Sequence, residues 1–289
     1  MWQPILLFAG CIPALILLAA VSIDDWWRKR RGEHPPLSEK ILRPAGYSLQ
    51  REIEGLDSSF MTWFMGTFLF SLGAIGAFAS MPSDAVGRFV CFTMLGIGAA
   101  GCAIVAWRTF NDIRNCHRGL RGEQAVADQL QPLFASGYQI FHDIPCENGN
   151  GKWNIDHVAV GPAGVFAIET KYRTKKPGRH GGPDHEATFD GNRIEFASGD
   201  YDTRAVGQAR GNAMWLSNML SKSTGERVSV QPIVALPGWW VTLKVNSDVK
   251  VLSGKQVAGF IATEPARLSA KTIQQISYQL EQRCRDVEF

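Results

Sequence analysis

The sequence predicts an α/β domain, a mixed sheet flanked by helices, behind three transmembrane α-helices. Three observations predict it. Residues 5–23, 60–82 and 89–107 are apolar runs without Asp, Glu, Lys, Arg or His. Charge is concentrated after them: of 30 Lys+Arg and 27 Asp+Glu in 289 residues, eight of each fall within residues 1–107. The remainder alternates helical and strand periodicity in the order helix, three strands, helix, strand, as a sheet covered by helices requires.

Each apolar run is near the ~20 residues a helix needs to cross the hydrocarbon core. Backbone amides in lipid must be paired within the segment, so each run is expected to be helical. The first run lacks Lys and Arg before it and has Arg28, Lys29, Arg30 and Arg31 after it, the pattern of an anchor rather than a cleaved leader. Loop 24–59 carries seven Lys/Arg, and loop 83–88 carries Arg88 alone. Arg108, Arg114, Arg118 and Arg121 follow the third run. The positive-inside rule then places the N-terminus outside and loop 24–59 and residues 108–289 in the cytoplasm, across a bacterial-type inner membrane. Gly73, Gly76, Ala77, Gly96, Gly98, Ala100 and Gly101 are small residues that let such helices approach, either each other or a second copy. No ionisable residue lies within a run, which argues against a transporter or channel.

The six cysteines form no C-x-x-C pair, so neither a zinc site nor a disulfide framework is supported. A net charge of +3 does not by itself imply a nucleic-acid partner.

The soluble region, 108–289, opens on a helix over 118–135 ended by Gly137. Strands follow over 138–144, 153–160 and 165–171, with a Gly/Asn-rich turn at 147–152 and a hairpin-length link at 161–164. The segment 172–203 has poor periodicity; a small hairpin over 187–196 turns at Asp190-Gly191-Asn192. An amphipathic helix spans 207–220, strands 228–236 and 249–252, and closing helices 256–262 and 270–285.

The informative residues are Asp156, inside the apolar strand Ile155–Val160, and Glu169 and Lys171 at the end of the next strand. Side chains alternate along a strand, so Glu169 and Lys171 share a side. A short hairpin between the strands lets Asp156 sit beside Glu169. An unpaired carboxylate inside an apolar strand is costly. Two converging carboxylates suit Mg²⁺ (or Mn²⁺), and the peptide carbonyl of Thr170 offers a third oxygen. Two acids, a metal and an ammonium suit hydrolysis of a phosphodiester.

These residues carry a resemblance. Arg121-Gly122-Glu123, the block from Ile155 to Lys171, Gln208-Ala209 and Asn212 resemble the nuclease-related domain family, NERD. That family is similar to the PD-(D/E)XK restriction-endonuclease-like superfamily. The resemblance covers roughly residues 118–236. It implies a restriction-endonuclease-like core, with Asp156 as the metal-binding Asp and Glu169 and Lys171 as the E-x-K pair. It also implies Glu123 as a helical Glu completing the metal shell and Gln208 as a site Gln. The implied partner is nucleic acid, DNA ahead of RNA.

The long segment after Lys171 departs from the family. Its Arg173, Lys175, Lys176 and Arg179 read either as phosphate contacts or as a solvated loop. His180, Asp184 and His185 read as incidental rather than a second metal site. Trp239-Trp240 read as loop packing ahead of base stacking. Three functions follow from the sequence: a membrane-anchored nuclease, an inactive nucleic-acid- or protein-binding module, and a membrane scaffold. Metal-dependent cleavage separates the first from the others.

Overall fold

A computed structural model describes residues 40–80, 85–149, 151–178 and 183–287, with Ile23 and Arg30. The expected first span, the rest of the 28–31 basic run, the turn through Pro82-Ser83-Asp84, and Arg179 and His180 lie outside the described residues. The chain divides into Met1–Lys40 with Glu288–Phe289, and the compact unit Ile41–Val287.

Within that unit, α1 (Tyr47–Ser80) and α2 (Ala85–Leu130) pack antiparallel. Phe60 meets Phe110 and Phe78 meets Phe92, each pair with ring centroids 6.1 Å apart. Gly98 permits this approach, since a Cβ there would come 2.9 Å from the Phe70 ring. At Gly76, Gly96 and Gly101 an added Cβ meets nothing within 4 Å, so these glycines do not make the contact. Both helices are long and apolar enough to cross a membrane. Their outer side chains, including Leu69, Ile75, Phe89 and Ile97, are exposed.

Two boundaries differ from the sequence reading. Residues 47–59 belong to α1 rather than to a loop. The apolar run 89–107 and the helix expected from 118 are one unbroken helix. Residues 108–117 contain neither Gly nor Pro, so the change to polar side chains does not interrupt the backbone. Pro132 then enters a 3-10 turn, Gln131–Ser136, and Gly137 closes it at φ 78° with its amide on Leu133 and Phe134.

The fold is α/β, with mixed sheets flanked by helices. Strands β2 (Gln139–Asn148), β3 (Gly151–Gly161) and β4 (Gly164–Thr170) form an antiparallel meander. After α3 (Arg204–Thr224), β8 (Val230–Leu236) joins parallel to β4, and β10 (Lys250–Ser253) parallel to β8. The sheet order is β10-β8-β4-β3-β2.

One face buries Ile144, Ile155, Val158 and Ala167 against Leu216 and Leu220 of α3 and Ile276 and Leu280 of α5 (Ala270–Cys284). The other buries Ala159, Phe166 and Ile168 against Val126 and Leu130 of α2 and Val257 and Ile261 of α4 (Gly254–Thr263). Strands buried on both faces read as continuous apolar runs, which is why residues 155–168 are so apolar.

Within 172–203 the expected hairpin over 187–196 forms, and it belongs to a larger sheet. Here β5 (Glu186–Phe189), β6 (Ile194–Phe196) and β7 (Tyr201–Asp202) combine with β9 (Trp240–Leu243) in a second sheet, β7-β6-β5-β9. Phe189, Ile194 and Trp239 bury against Ala205 and Ala209 of α3 and Leu236. Finally, β1 (Ile41–Leu42) pairs antiparallel with β11 (Arg285–Val287), tying the start of this unit to its end.

Candidate active site

The β3–β4 register pairs His157 with Ile168, so the next rung sets Asp156 beside Glu169. Asp156 is buried, and its Oδ2 accepts the Thr170 amide at 2.6 Å. Glu169 is 2% exposed at the end of β4. Its Oε1 pairs with Lys171 Nζ at 2.7 Å, and its Oε2 accepts Asn212 Nδ2 at 2.9 Å. Lys171 also donates to Gln208 Oε1 at 3.0 Å. Asp156, Glu169, Lys171 and Gln208 therefore converge as expected, with α3 supplying Gln208 and Asn212 over the strand ends. The Thr170 amide is engaged with Asp156; its carbonyl as a metal ligand stays a proposal.

Glu123 projects from α2 and is buried, with Oε2 lacking a hydrogen-bond partner among the described residues. Burial, Asp143 and Glu169 push its carboxyl up to about 7, against the pull of Lys171 and the Gly46 amide. Burial, then Glu169 and Glu123, holds Asp156 well above the carboxylate range. Burial likewise raises Glu169 despite Lys171. Burial opposes the Lys171 ammonium, but Glu169 outweighs it, so Lys171 stays above its ordinary value and cationic at neutral pH.

Among the described residues, no three His, Cys, Asp or Glu side chains are arranged to hold a metal ion by themselves. What fits a cation is the charge pattern: burial raises all three carboxyls, Glu169 adds to the rise at Glu123, Glu169 and Glu123 add to it at Asp156, and one Glu123 oxygen is orphaned. Mg²⁺ asks for one or two carboxylates and keeps several waters. Asp156 and Glu169, with Glu123 alongside, are carboxylates of that kind.

The sequence reading missed Asp143. The β2–β3 ladder runs through His142–His157 and Ile144–Ile155, and the intervening rung, Asp143 with Asp156, is absent. Asp143 sits at φ +50°, a left-handed position that aspartate tolerates. Its carboxylate accepts Arg43 Nη1 at 2.8 Å, the Ser48 amide at 3.1 Å, Ser48 Oγ at 2.8 Å and Asn154 Nδ2 at 2.8 Å. It thereby fixes the entry into α1 beside the site. Gly46, at φ +77°, makes that approach possible, since a Cβ there would strike Leu120. The signal for Asp143 was the same as for Asp156: a carboxylate inside an apolar strand.

A groove of about 480 Å³ opens on the Lys171 side. Arg118 of α2, Tyr172, Arg173, Lys176 and Phe196 line it. Arg173 is paired with Asp202 at 2.7 Å and lies over the Phe196 ring; Lys176 is paired with Asp200 at 2.7 Å. Asp202 also accepts the Arg204 and Ala205 amides at the start of α3. Lys175 is exposed. His185 faces Asp184 at 3.5 Å. Trp239 is buried edge-on against Phe196, as the packing reading expects, and Trp240 is exposed on β9.

Residues 118–237 match the family model of the nuclease-related domain. That segment is similar to the nuclease-related domain, and the match covers less than half of the chain. It contains Glu123, Asp156, Glu169, Lys171 and Gln208, while Arg43 and Ser48, which hold Asp143, lie before it. Helices α4 and α5 follow it. No curated protein and no solved structure matches the chain.

Proposed function

We propose that this chain is a membrane-anchored nuclease that uses Mg²⁺ or Mn²⁺ to hydrolyse phosphodiester bonds of nucleic acid, DNA ahead of RNA, at the cytoplasmic face. The observation that carries the reading is the convergence of Asp156, Glu169 and Lys171 where β4 ends beside the middle of β3. Asp156 and Glu169 would hold the cation, with Glu123 supporting them. Such a cation supplies a water of lowered pKa and charge for the phosphate oxygens. Lys171 is a donor without an acceptor lone pair while it remains protonated. Pinned between Glu169 and Gln208, it is suited to stabilise charge developing on the scissile phosphate rather than to take a proton. Asn212 fixes the second oxygen of Glu169 and so its orientation.

The anchor rests on α1 and α2 and on the expected span at 5–23. The Lys/Arg distribution supports a cytoplasmic nuclease-related domain and an inner-membrane location. A second copy packing against the open glycines Gly76, Gly96 and Gly101 belongs to the same reading.

The decisive experiment incubates the full chain in detergent with DNA and RNA in Mg²⁺, Mn²⁺ or EDTA, beside Asp156→Asn. Cleavage with metal, lost in EDTA and in the variant, is expected. Equal cutting by wild type and Asp156→Asn refutes the site. Binding without cleavage replaces this reading with that of a binding module.

A further inference from the structure

A second groove, of about 560 Å³, opens beside Gln208 and Asn212 and shares no lining residue with the cationic one. Its walls are Asn148, Trp153, Gln208, Met214, Trp215 and Asn218, and no charged side chain lines it. Its size falls within the ~300–1,000 Å³ of ligand clefts.

Two features connect it to the catalytic groups. Asn212 accepts Trp153 Nε1–H at 3.0 Å and gives its own amide to Glu169. Gln208 takes Lys171 on one side and lines this groove on the other. The wall of the groove is thus also the wall of the site. Its aromatic groups are fixed in advance. Trp153 and Trp215 meet edge to face at 5.7 Å, Trp215 donates to the Glu147 carbonyl at 3.1 Å, and Arg283 lies 5.3 Å from the Trp215 ring centre. Met214 stands exposed at the rim.

We propose that this groove is the subsite for an unstacked base adjoining the scissile phosphate, so that the substrate is single-stranded or splayed where it is cut; this rests on the nuclease reading. The two grooves divide the chemistry of a nucleotide. Arg118 and Lys171 face one side, where a phosphate chain requires positive charge. Aromatic rings and side-chain amides face the other, where a base offers a π-face and a hydrogen-bonding edge. A duplex keeps its bases turned inward and stacked, so only a strand with an extruded or unpaired base fills both grooves.

The test uses the full chain in detergent with EDTA, where cleavage does not interfere. A labelled oligothymidylate is compared with an oligomer of equal length and charge made of abasic sugars. Both share the backbone contribution, and base stacking typically separates them by on the order of tenfold or more in Kd. Wild type is expected to show that ratio. Met214→Glu, at an exposed position, should bring it close to one without changing circular dichroism. Gly211→Leu is a second variant that fills the groove from a helical position where an added Cβ meets nothing within 4 Å. It should give the same loss if Met214→Glu does not fold. Equal binding of the two oligomers by wild type overturns the subsite, as does an unchanged ratio in folded Gly211→Leu. Cleavage in Mg²⁺ is scored separately. Cutting with equal oligomer binding refutes the subsite alone, while base-selective binding without cutting refutes the nuclease reading and leaves a base-binding module.

Discussion

Replacing Arg43 with Met keeps much of the stem and removes the charge facing Asp143. The structure sets the magnitude. The Asp143 side chain is fully buried and the Arg43 side chain is 14% exposed, with 2.8 Å between them. Breaking a buried pair from one side typically costs about 3–5 kcal/mol, because the remaining charge is left uncompensated. Two donors from Ser48 and one from Asn154 remain on Asp143, which points to the lower end, about 3 kcal/mol. For a domain of this size that is a fall in Tm of roughly 6–12 °C. Thermal unfolding of the full chain in detergent, followed by tryptophan fluorescence, reads it directly. In a double-mutant cycle, Asp143→Asn should recover part of the loss in the Arg43→Met background, since a neutral amide does not need the guanidinium. A fragment starting at residue 108 lacks Arg43 and Ser48 and should be weakened at least as much as Arg43→Met. If Arg43→Met unfolds within about 0.5 kcal/mol of wild type, a range typical of unimportant surface changes, the reasoning fails.

Three other outcomes are expected. Lys171→Ala should retain metal binding by calorimetry and lose about 10²–10³-fold in cleavage rate, the usual cost of removing one donor to developing charge; retention of the rate removes Lys171 from the mechanism. The folded protein holds the Glu123 proton up to about pH 7, while an ordinary glutamate releases it near 4.5. The folded state therefore binds more protons in that window, and metal-free stability should fall by about 3 kcal/mol as pH rises through it. Glu123→Gln should lessen that slope, with Asp156 and Glu169 keeping their share, and saturating Mg²⁺ should flatten it in denaturation curves; a flat wild-type curve without metal contradicts the assignment. Lys175→Ala and Arg118→Ala should each reduce the salt slope of nucleic-acid binding by about one. Lys176→Ala should change it less, because Asp200 already meets its charge; three equal effects would mean the ion pair opens on binding.

The legible parts of the molecule are those where periodicity or cost leaves a mark on the chain. Residues 153–171 were readable as a hairpin because both strands are long and doubly buried, and Asp156 stood out because a carboxylate there has to be held. Asp143 meets the same criterion inside 138–144, yet two of its partners, Arg43 before α1 and Ser48 in its first turn, lie about 95–100 residues away, which no local pattern reveals. Of the sheet built from 172–203, the β5–β6 hairpin was legible from its Asp190-Gly191-Asn192 turn, while β7 and the pairing with β9 were not. The strands of that sheet run two to four residues, too short for alternation to register, and one partner, Trp240–Leu243, comes from beyond α3. Residues 108–117 misled in the opposite direction, because a change of side-chain solvent looks like a boundary even where the hydrogen-bond ladder continues.

That continuous ladder fixes a working height. Trp107 ends the apolar run, and Glu123 on the same helix faces Asp156 and Glu169. At 1.5 Å per residue, the axial rise between them is about 24 Å. A membrane at Trp107 would thus hold the cutting point within a few nanometres of the lipid headgroups. Nucleic acid deep in the cytoplasm is then out of reach, and only strands brought into this thin layer beneath the bilayer meet the site. Selection by location would precede any selection by sequence. Lengthening α2 by whole turns between Trp107 and Glu123 would raise that height in steps of about 5.4 Å.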